Sequence, residues 1–305
     1  MIQQSIIAML NTKIDVIVIG AGVSGMTAAL YLKRANKNVL VLENSAPGGQ
    51  LTQIPSIENY PGFLEISGPD LAMNIYNQLN SIKVDYKYGK VISIKKENNE
   101  FTVITDREEY KCNNVIIATG RTPRKLGLEN EEKLFGRGIS YCALCDGNFY
   151  KDLDVAVIGG ADSALSESLY LSNIARKVYI IYRKDNFRAQ EYLIERVLNK
   201  DNIIPIYNSN VTEYILENDK IKGVMLENGF LEVSGVFIYI GFEPNTEIVK
   251  DLCTLENGYI KVNNNLETSL EGMYAIGDVI AKNTYQIGTA IGEAVACANA
   301  IINKK

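Results

Sequence analysis

The sequence predicts an α/β protein made of two Rossmann-like, three-layer dinucleotide-binding domains, the second inserted into the first. Three observations predict it. A strand of the fully buried type runs straight into Gly20-Ala-Gly22-Val-Ser-Gly25. The same strand–turn–helix pattern returns from Asp154. Strand patterns that complete the first unit lie on both sides of the second, at Asn114–Ala118 and from Gly258 onward.

Asp15-Val-Ile-Val-Ile-Gly20 is a short β-branched run of the kind buried on both faces of a parallel sheet. A helical stretch follows to about Arg34, then a second strand from Asn38 to Leu42. The glycines permit a tight turn and close approach of backbone to a pyrophosphate, and the helix start offers it N–H groups and a positive dipole end. Glu43 closes the second strand, about 20 residues past the glycines, where an acid accepts hydrogen bonds from a ribose with free hydroxyls. A lone glycine motif is weak evidence. Strand, helix, second strand and acid in register make it specific.

Residues from about Val84 to Tyr110 alternate apolar and polar around Asn98-Asn99, as a small antiparallel insert does. Asn114-Val-Ile-Ile-Ala118 then reads as a strand returning to the first sheet.

In the second unit Asp154-Val-Ala-Val-Ile-Gly159 is the strand, Ser163 to about Asn173 the helix, and Lys177–Ile181 the next strand. Two differences from the first copy carry information. Gly22 and Gly25 are replaced by Ala161 and Ala164, and Ala161 puts a methyl group where a pyrophosphate needs bare backbone. Glu43 is replaced by Tyr182, followed by Arg183, Lys184 and then Arg188. A basic cluster in place of the acid favours a ribose 2′-phosphate; alone it would equally be a solvated loop. The closing elements are Gly272-Met-Tyr-Ala-Ile-Gly277-Asp278 and a helix from about Ala290.

Between the two units lies Ser140-Tyr-Cys-Ala-Leu-Cys-Asp-Gly147. Cys142 and Cys145 are close enough in sequence to close a small disulfide ring, and Asp146 is the nearest proton carrier in a chain with no histidine. Zinc would need two more soft or imidazole ligands, and Cys112, Cys253 and Cys297 are scattered. A structural staple is not required, because 305 residues with 47% hydrophobic content bury a large core. The stretch reads as a dithiol that is oxidised and reduced in turn, and no metal site is expected.

A net charge of −5 with no basic face argues against nucleic acid. No run of about 18 apolar residues is present, so no membrane span is expected. Met1–Thr12 lacks a positive leading segment and reads as a short extension; the expected setting is cytoplasmic.

The chain from about Asp15 onward resembles the low-molecular-weight thioredoxin reductases. The landmarks are Gly20–Gly25, Gly48-Gly-Gln50-Leu51, Glu58-Asn-Tyr-Pro-Gly62, Ala118-Thr-Gly120, Cys142-Ala-Leu-Cys145-Asp146, Gly159–Ala164, Arg183–Arg188, and Gly277-Asp278 with Gln286. The resemblance implies FAD on a domain of residues 1–117 and 245–305, and NADPH on residues 118–244, which also carry the redox cysteines. It implies a homodimer and electron flow from NADPH through FAD to the Cys142–Cys145 disulfide and on to thioredoxin. By position, Gly20, Gly22, Ser24 and Gly25 would cradle the FAD pyrophosphate and Glu43 its ribose. Gly49, Gln50, Leu51, Asn59 and Thr119 would lie along the cofactor. Gly277 and Asp278 would hold its ribityl chain, and Gln286–Ile287 the flavin edge. Asp162 and Ser163, at the start of the second unit's helix, and Arg183, Lys184 and Arg188 would hold NADPH. Cys145 would face the flavin, Cys142 would attack thioredoxin, and Asp146 would donate the proton.

The sequence departs from the family at Ala161 (usually glycine), Tyr182 (histidine), Lys184 (arginine), Tyr285 (arginine) and Leu144 (threonine). A ferredoxin- or NADH-fed reductase of the same fold is therefore the alternative. Because cysteines and nicotinamide would need the same flavin face, rotation of the inserted domain about the two chain crossings that join it to the first, near Ala118–Thr122 and near Gly241–Thr246, is also expected.

Overall fold

The computed structural model describes residues 13–54, 57 and 59–304. The extension Met1–Thr12 and the landmark residue Glu58 lie outside the described residues. The described residues separate into two compact units: those up to Thr52, within 66–122 and from Glu243 onward form the first, and those within 53–65 and 123–242 the second.

The first unit begins with β1 (Ile14–Ile19), α1 (Val23–Arg34) and β2 (Val39–Glu43), followed by α2 (Gly68–Ser81) and the strands β3 (Asp85–Tyr88), β4 (Val91–Glu97), β5 (Glu100–Thr105) and β6 (Glu109–Ile117). β1 pairs in parallel with β2 on one side and β6 on the other. β4, β5 and β6 form the antiparallel insert, turning through Asn98, which adopts a left-handed φ of 54°. β6 is one nine-residue strand, so its second half returns directly to the parallel sheet.

Period-two alternation sorts β1 between two cores. Val16 and Val18 pack with Ala28, Ala29 and Leu32 of α1 and with Ala294, Ala298 and Ile301, while Ile17 and Ile19 pack on the other face with Phe101, Val249, Ile260 and Val279. Both faces are covered, which is why the strand is apolar at every position from Val16 to Ile19. Burying a side chain such as Leu32 stabilises the unit by about 1.5–3 kcal/mol.

In the second unit the chain runs through β7 (Arg121–Pro123, at the unit boundary), α3 (Glu131–Leu134), β8 (Ile139–Ser140) and α4 (Ala143–Asp146). The nucleotide-type repeat follows as β9 (Asp154–Ile158), α5 (Asp162–Leu171), β10 (Lys177–Ile181), α6 (Glu191–Leu198) and β11 (Ile203–Ile206). A three-stranded antiparallel sheet, β12 (Val211–Glu217), β13 (Lys220–Leu226) and β14 (Gly229–Glu232), precedes β15 (Gly235–Ile238). The main sheet is parallel, in the order β11-β10-β9-β15-β8. Val155 and Val157 face α5 through Ala164 and Leu165, and Ala156 and Ile158 face the antiparallel sheet through Tyr214 and Val224. The unit is a three-layer helix–sheet–sheet stack.

The chain then passes β16 (Phe242–Pro244), β17 (Leu255–Glu256) and β18 (Tyr259–Ile260), and finishes the first sheet with β19 (Met273–Ala275) beside β6. The last helix, α7 (Ile287–Asn303), starts three residues before the Ala290 read from the sequence. Gln286 caps it reciprocally with Thr289, a pairing that the usual Ser/Asp/Asn cap rule does not reveal.

Candidate active site

The first glycine turn has the shape that a diphosphate needs. Gly20 has a φ of 103°, and a Cβ there would collide with the Ala118 carbonyl. A Cβ on Gly25 would strike the Gly20 carbonyl, so this glycine sets how closely α1 packs on β1. Gly22, by contrast, has open space where a Cβ would stand. It is the extended N-cap of α1 with no side-chain cap, so the first N–H groups of that helix are left for a ligand. The turn is braced by the Gly48 N–H donating to the Ala21 carbonyl at 2.7 Å.

Glu43 is buried and fixes the same turn. Its Oε2 accepts the Ala21 N–H at 2.7 Å, and its Oε1 accepts from the Asn44 and Ser45 N–H groups and the Ser45 hydroxyl at 2.8–2.9 Å. Gly49 approaches Gly22, and Ser24 sits against Gly277, so three separate stretches meet at the start of α1. Gln50 Nε2 donates to the Arg121 carbonyl at 2.7 Å, beside buried Leu51. Thr119 donates its hydroxyl to the Asn245 carbonyl at 2.7 Å. Asp278 is paired with Arg121 at 3.5 Å and Lys282 at 3.4 Å, and Ile287 opens α7 next to the Gln286 cap. Asn59 is exposed and belongs to the second unit's stretch 53–65.

Tyr285 replaces the arginine usual in the resembled family, yet a guanidinium is still present. Arg121 stacks on the Tyr285 ring with its Cζ 3.6 Å from the centroid. Nothing local in the sequence signals this exchange.

In the second unit Cys142 and Cys145 form a disulfide with Cα atoms 5.3 Å apart. Cys142 is the N-cap of α4, and its sulfur accepts the Cys145 N–H at 3.2 Å. A helix start favours a thiolate. Behind it Asp146 Oδ2 accepts the Ser140 hydroxyl at 2.6 Å, while Oδ1 is buried with no partner among the described residues. Burial holds this carboxyl above its ordinary range, partly offset by the Ser140 hydrogen bond. Burial also pushes the other thiols up, Cys112 to about 12 and Cys253 and Cys297 upward as well, which leaves them protonated and inert.

At the second glycine turn, Ala161 is the extended, uncapped start of α5, and Ala161, Asp162 and Ser163 are exposed. The Asp162 carboxylate is turned to Gln190, accepting its backbone N–H at 2.8 Å and its Nε2 at 3.1 Å. The Tyr182 ring lies where a Cβ on Gly160 would stand. Arg183, Lys184 and Arg188 are exposed at the end of β10 and form no ion pair among the described residues; the Arg188 N–H donates to the Gly160 carbonyl at 2.7 Å.

Residues 14–294 match the family model described as pyridine nucleotide-disulphide oxidoreductase. The chain belongs to this family of oxidoreductases. Among curated relatives it is 42% identical over 286 residues to the thioredoxin reductase of Listeria monocytogenes, covering 92% of this chain and 90% of that one. It is 40% identical to the thioredoxin reductase of Bacillus subtilis, over 94% and 93% of the two chains. The crystal structure of thioredoxin reductase from Streptococcus pyogenes superposes with a TM-score of 0.89 at 41% identity, covering 95% of this chain and 97% of that one. As a family member this enzyme carries a redox disulfide together with two βαβ units, the arrangement from which flavin and pyridine-nucleotide chemistry follows.

Tyr239 and Asn245 have no motif of their own and reach Ala143 and Thr119 from 96 and 126 residues away, whereas Ser140 holds Asp146 from within the redox stretch itself.

Proposed function

We propose that this oxidoreductase is a thioredoxin-disulfide reductase that uses NADPH, FAD and the Cys142–Cys145 disulfide. The observation that carries the reading is a disulfide set at a helix start with a buried carboxyl behind it that burial holds above its ordinary range. The names of the similar proteins support the same substrate.

The first glycine turn fits a dinucleotide, given the open space at Gly22 and the uncapped α1 N-terminus. Gly20, Gly22, Ser24 and Gly25 would hold the FAD pyrophosphate. Glu43 has a lone pair left on Oε2 for the ribose while it braces the turn. When bound, FAD supplies the electron pair that reduces the disulfide. The second turn fits a phosphorylated nucleotide through the exposed α5 start and the unpaired Arg183, Lys184 and Arg188, with Asp162 held aside by Gln190. NADPH supplies the hydride equivalent.

Reduction breaks the S–S bond and leaves one sulfur as thiolate and one as thiol. Cys145 is the sulfur that receives the electron pair, and Cys142 departs as a thiolate that Asp146 protonates. Asp146 takes that proton back as Cys142 attacks the disulfide of thioredoxin, forming a mixed disulfide and expelling one thioredoxin thiolate, which takes up a proton. Attack of Cys145 on Cys142 releases the second thioredoxin sulfur and re-forms the 142–145 bond. Leu144 and Phe149 flank the cysteines with exposed apolar surface, which suits a protein substrate better than a small one. A homodimer and a cytoplasmic setting belong to the same proposal on the strength of the resemblance. No described helix is long and apolar enough to cross a membrane.

The test is NADPH-dependent reduction of thioredoxin by the FAD-loaded protein, with NADH and reduced ferredoxin as alternative donors. Activity with ferredoxin alone would displace NADPH from the proposal.

A further inference from the structure

Two tyrosines hold the chain on either side of Cys142, and the steps above give neither a task. On the near side the Tyr141 hydroxyl donates to Glu131 Oε1 at 2.9 Å, and the ring centroid lies 5.3 Å from that of Phe135. Glu131 is itself fixed. It is 3% exposed, and its carboxylate accepts the Leu126, Gly127 and Leu128 N–H groups at 2.8–3.3 Å. On the far side the Ala143 N–H, at the first position of α4, donates to the Tyr239 hydroxyl at 2.6 Å. Tyr239 is buried, and its own N–H donates to the Ile158 carbonyl at the end of β9 at 2.7 Å, which ties it to the main sheet.

A buried hydroxyl needs a hydrogen-bond partner that phenylalanine, of nearly the same shape, does not. Both hydroxyls here join a residue flanking Cys142 to an anchor elsewhere in the same unit. We propose that Tyr141 and Tyr239 are positioning residues: together they clamp the backbone around Cys142, so that its sulfur stays within reach of Cys145 when the bond between them is open.

The effect on the sulfurs has a definite sign. While the 142–145 bond is closed, the small ring restrains these residues with or without the tyrosines. Once it is open, the hydrogen bonds take over that restraint. Ordering the backbone of even one residue is worth a factor of about five or more in an equilibrium constant. The clamp therefore favours the disulfide over the dithiol, and it speeds the attack of Cys145 on Cys142 that releases thioredoxin. That last role rests on the thioredoxin reductase reading; the bias towards the disulfide does not.

The experiment equilibrates the purified protein anaerobically with mixtures of reduced and oxidised dithiothreitol at neutral pH, quenches with iodoacetamide, and reads the peptide bearing Cys142 and Cys145 by mass spectrometry. In this exchange the protein S–S bond breaks, a dithiothreitol S–S bond forms, and two protons pass from the reagent to the protein sulfurs. Tyr141→Phe and Tyr239→Phe should each move the equilibrium towards the dithiol by at least about threefold. Val197→Ala, at a buried position on α6, should lower the melting temperature and leave the equilibrium where it was. An unchanged equilibrium in either tyrosine variant overturns the proposal, as does an equal shift in Val197→Ala. If Tyr239→Phe does not accumulate as folded protein, Tyr141→Phe carries the test. Because the exchange needs neither NADPH nor thioredoxin, shifted equilibria in a protein that fails to reduce thioredoxin would retain this inference and reject the functional reading.

Discussion

The Ser140 hydroxyl donates a 2.6 Å hydrogen bond to Asp146 Oδ2, and the same hydroxyl accepts the Cys142 N–H at 3.0 Å. One serine thus ties the proposed proton donor to the backbone of the redox cysteine. That link makes the acid's orientation a property of the loop and not of a free side chain.

Asp146→Asn keeps an acceptor for Ser140 but carries no transferable proton. Stopped-flow measurement of thiol–disulfide exchange should show a loss of roughly 10²-fold or more. An unchanged rate would remove Asp146 from acid duty.

The same substitution has a stability signature. The native carboxyl sits above its ordinary value, so the folded state binds that proton more tightly than the unfolded chain does. Its stabilising contribution is complete below the unfolded value and is lost as pH rises through the native one. Asp146→Asn should therefore melt above the unaltered protein near pH 8, with the difference shrinking towards about pH 4, the ordinary carboxyl range. Differential scanning calorimetry at the two pH values checks the sign.

Cys145→Ser should abolish thioredoxin reduction while FAD stays bound, since Cys145 and the glycine turn at Gly20–Gly25 belong to different units. A visible spectrum and a turnover assay on the same sample decide it. Loss of bound flavin would mean the sulfur has been misplaced.

Glu43→Ala leaves the Ala21 N–H unpaired, and Ala21 is fully buried. Each such orphaned group costs about 1–3 kcal/mol, so the melting temperature and FAD affinity should fall together. Calorimetry with and without added FAD separates the two effects.

Arg183→Ala should raise KM for NADPH far more than for NADH, because only the former offers a 2′-phosphate. Equal changes for both nucleotides, measured by steady-state kinetics, would point to a solvated loop.

The fold class was legible because both βαβ units announce themselves locally. Val16 to Ile19 and Val155 to Ile158 are apolar at every position, which only a sheet covered on both faces tolerates. The redox stretch was legible from spacing alone, as Cys142 and Cys145 need only three residues of separation to meet. What stayed hidden depends on contacts between distant residues. Ala143 and Tyr239 are 96 residues apart and Thr119 and Asn245 are 126 apart, with no periodicity to join them. The meander at Val211–Glu232 was also silent, since its register is set by packing on β9 and β15 through Tyr214 and Val224. Residues 53–65 are chain neighbours of the first unit but group with the second, and no composition change marks that switch.

The central claim is that bound flavin passes electron pairs to the bond between Cys142 and Cys145, and anaerobic titration of the purified protein with NADPH tests it most directly. Flavin absorbance and alkylatable thiols are read in the same cuvette. A yellow protein that takes up reducing equivalents and exposes thiols at positions 142 and 145 is the predicted result. A colourless protein that refuses added FAD, or flavin reduction that leaves that disulfide intact, would contradict it.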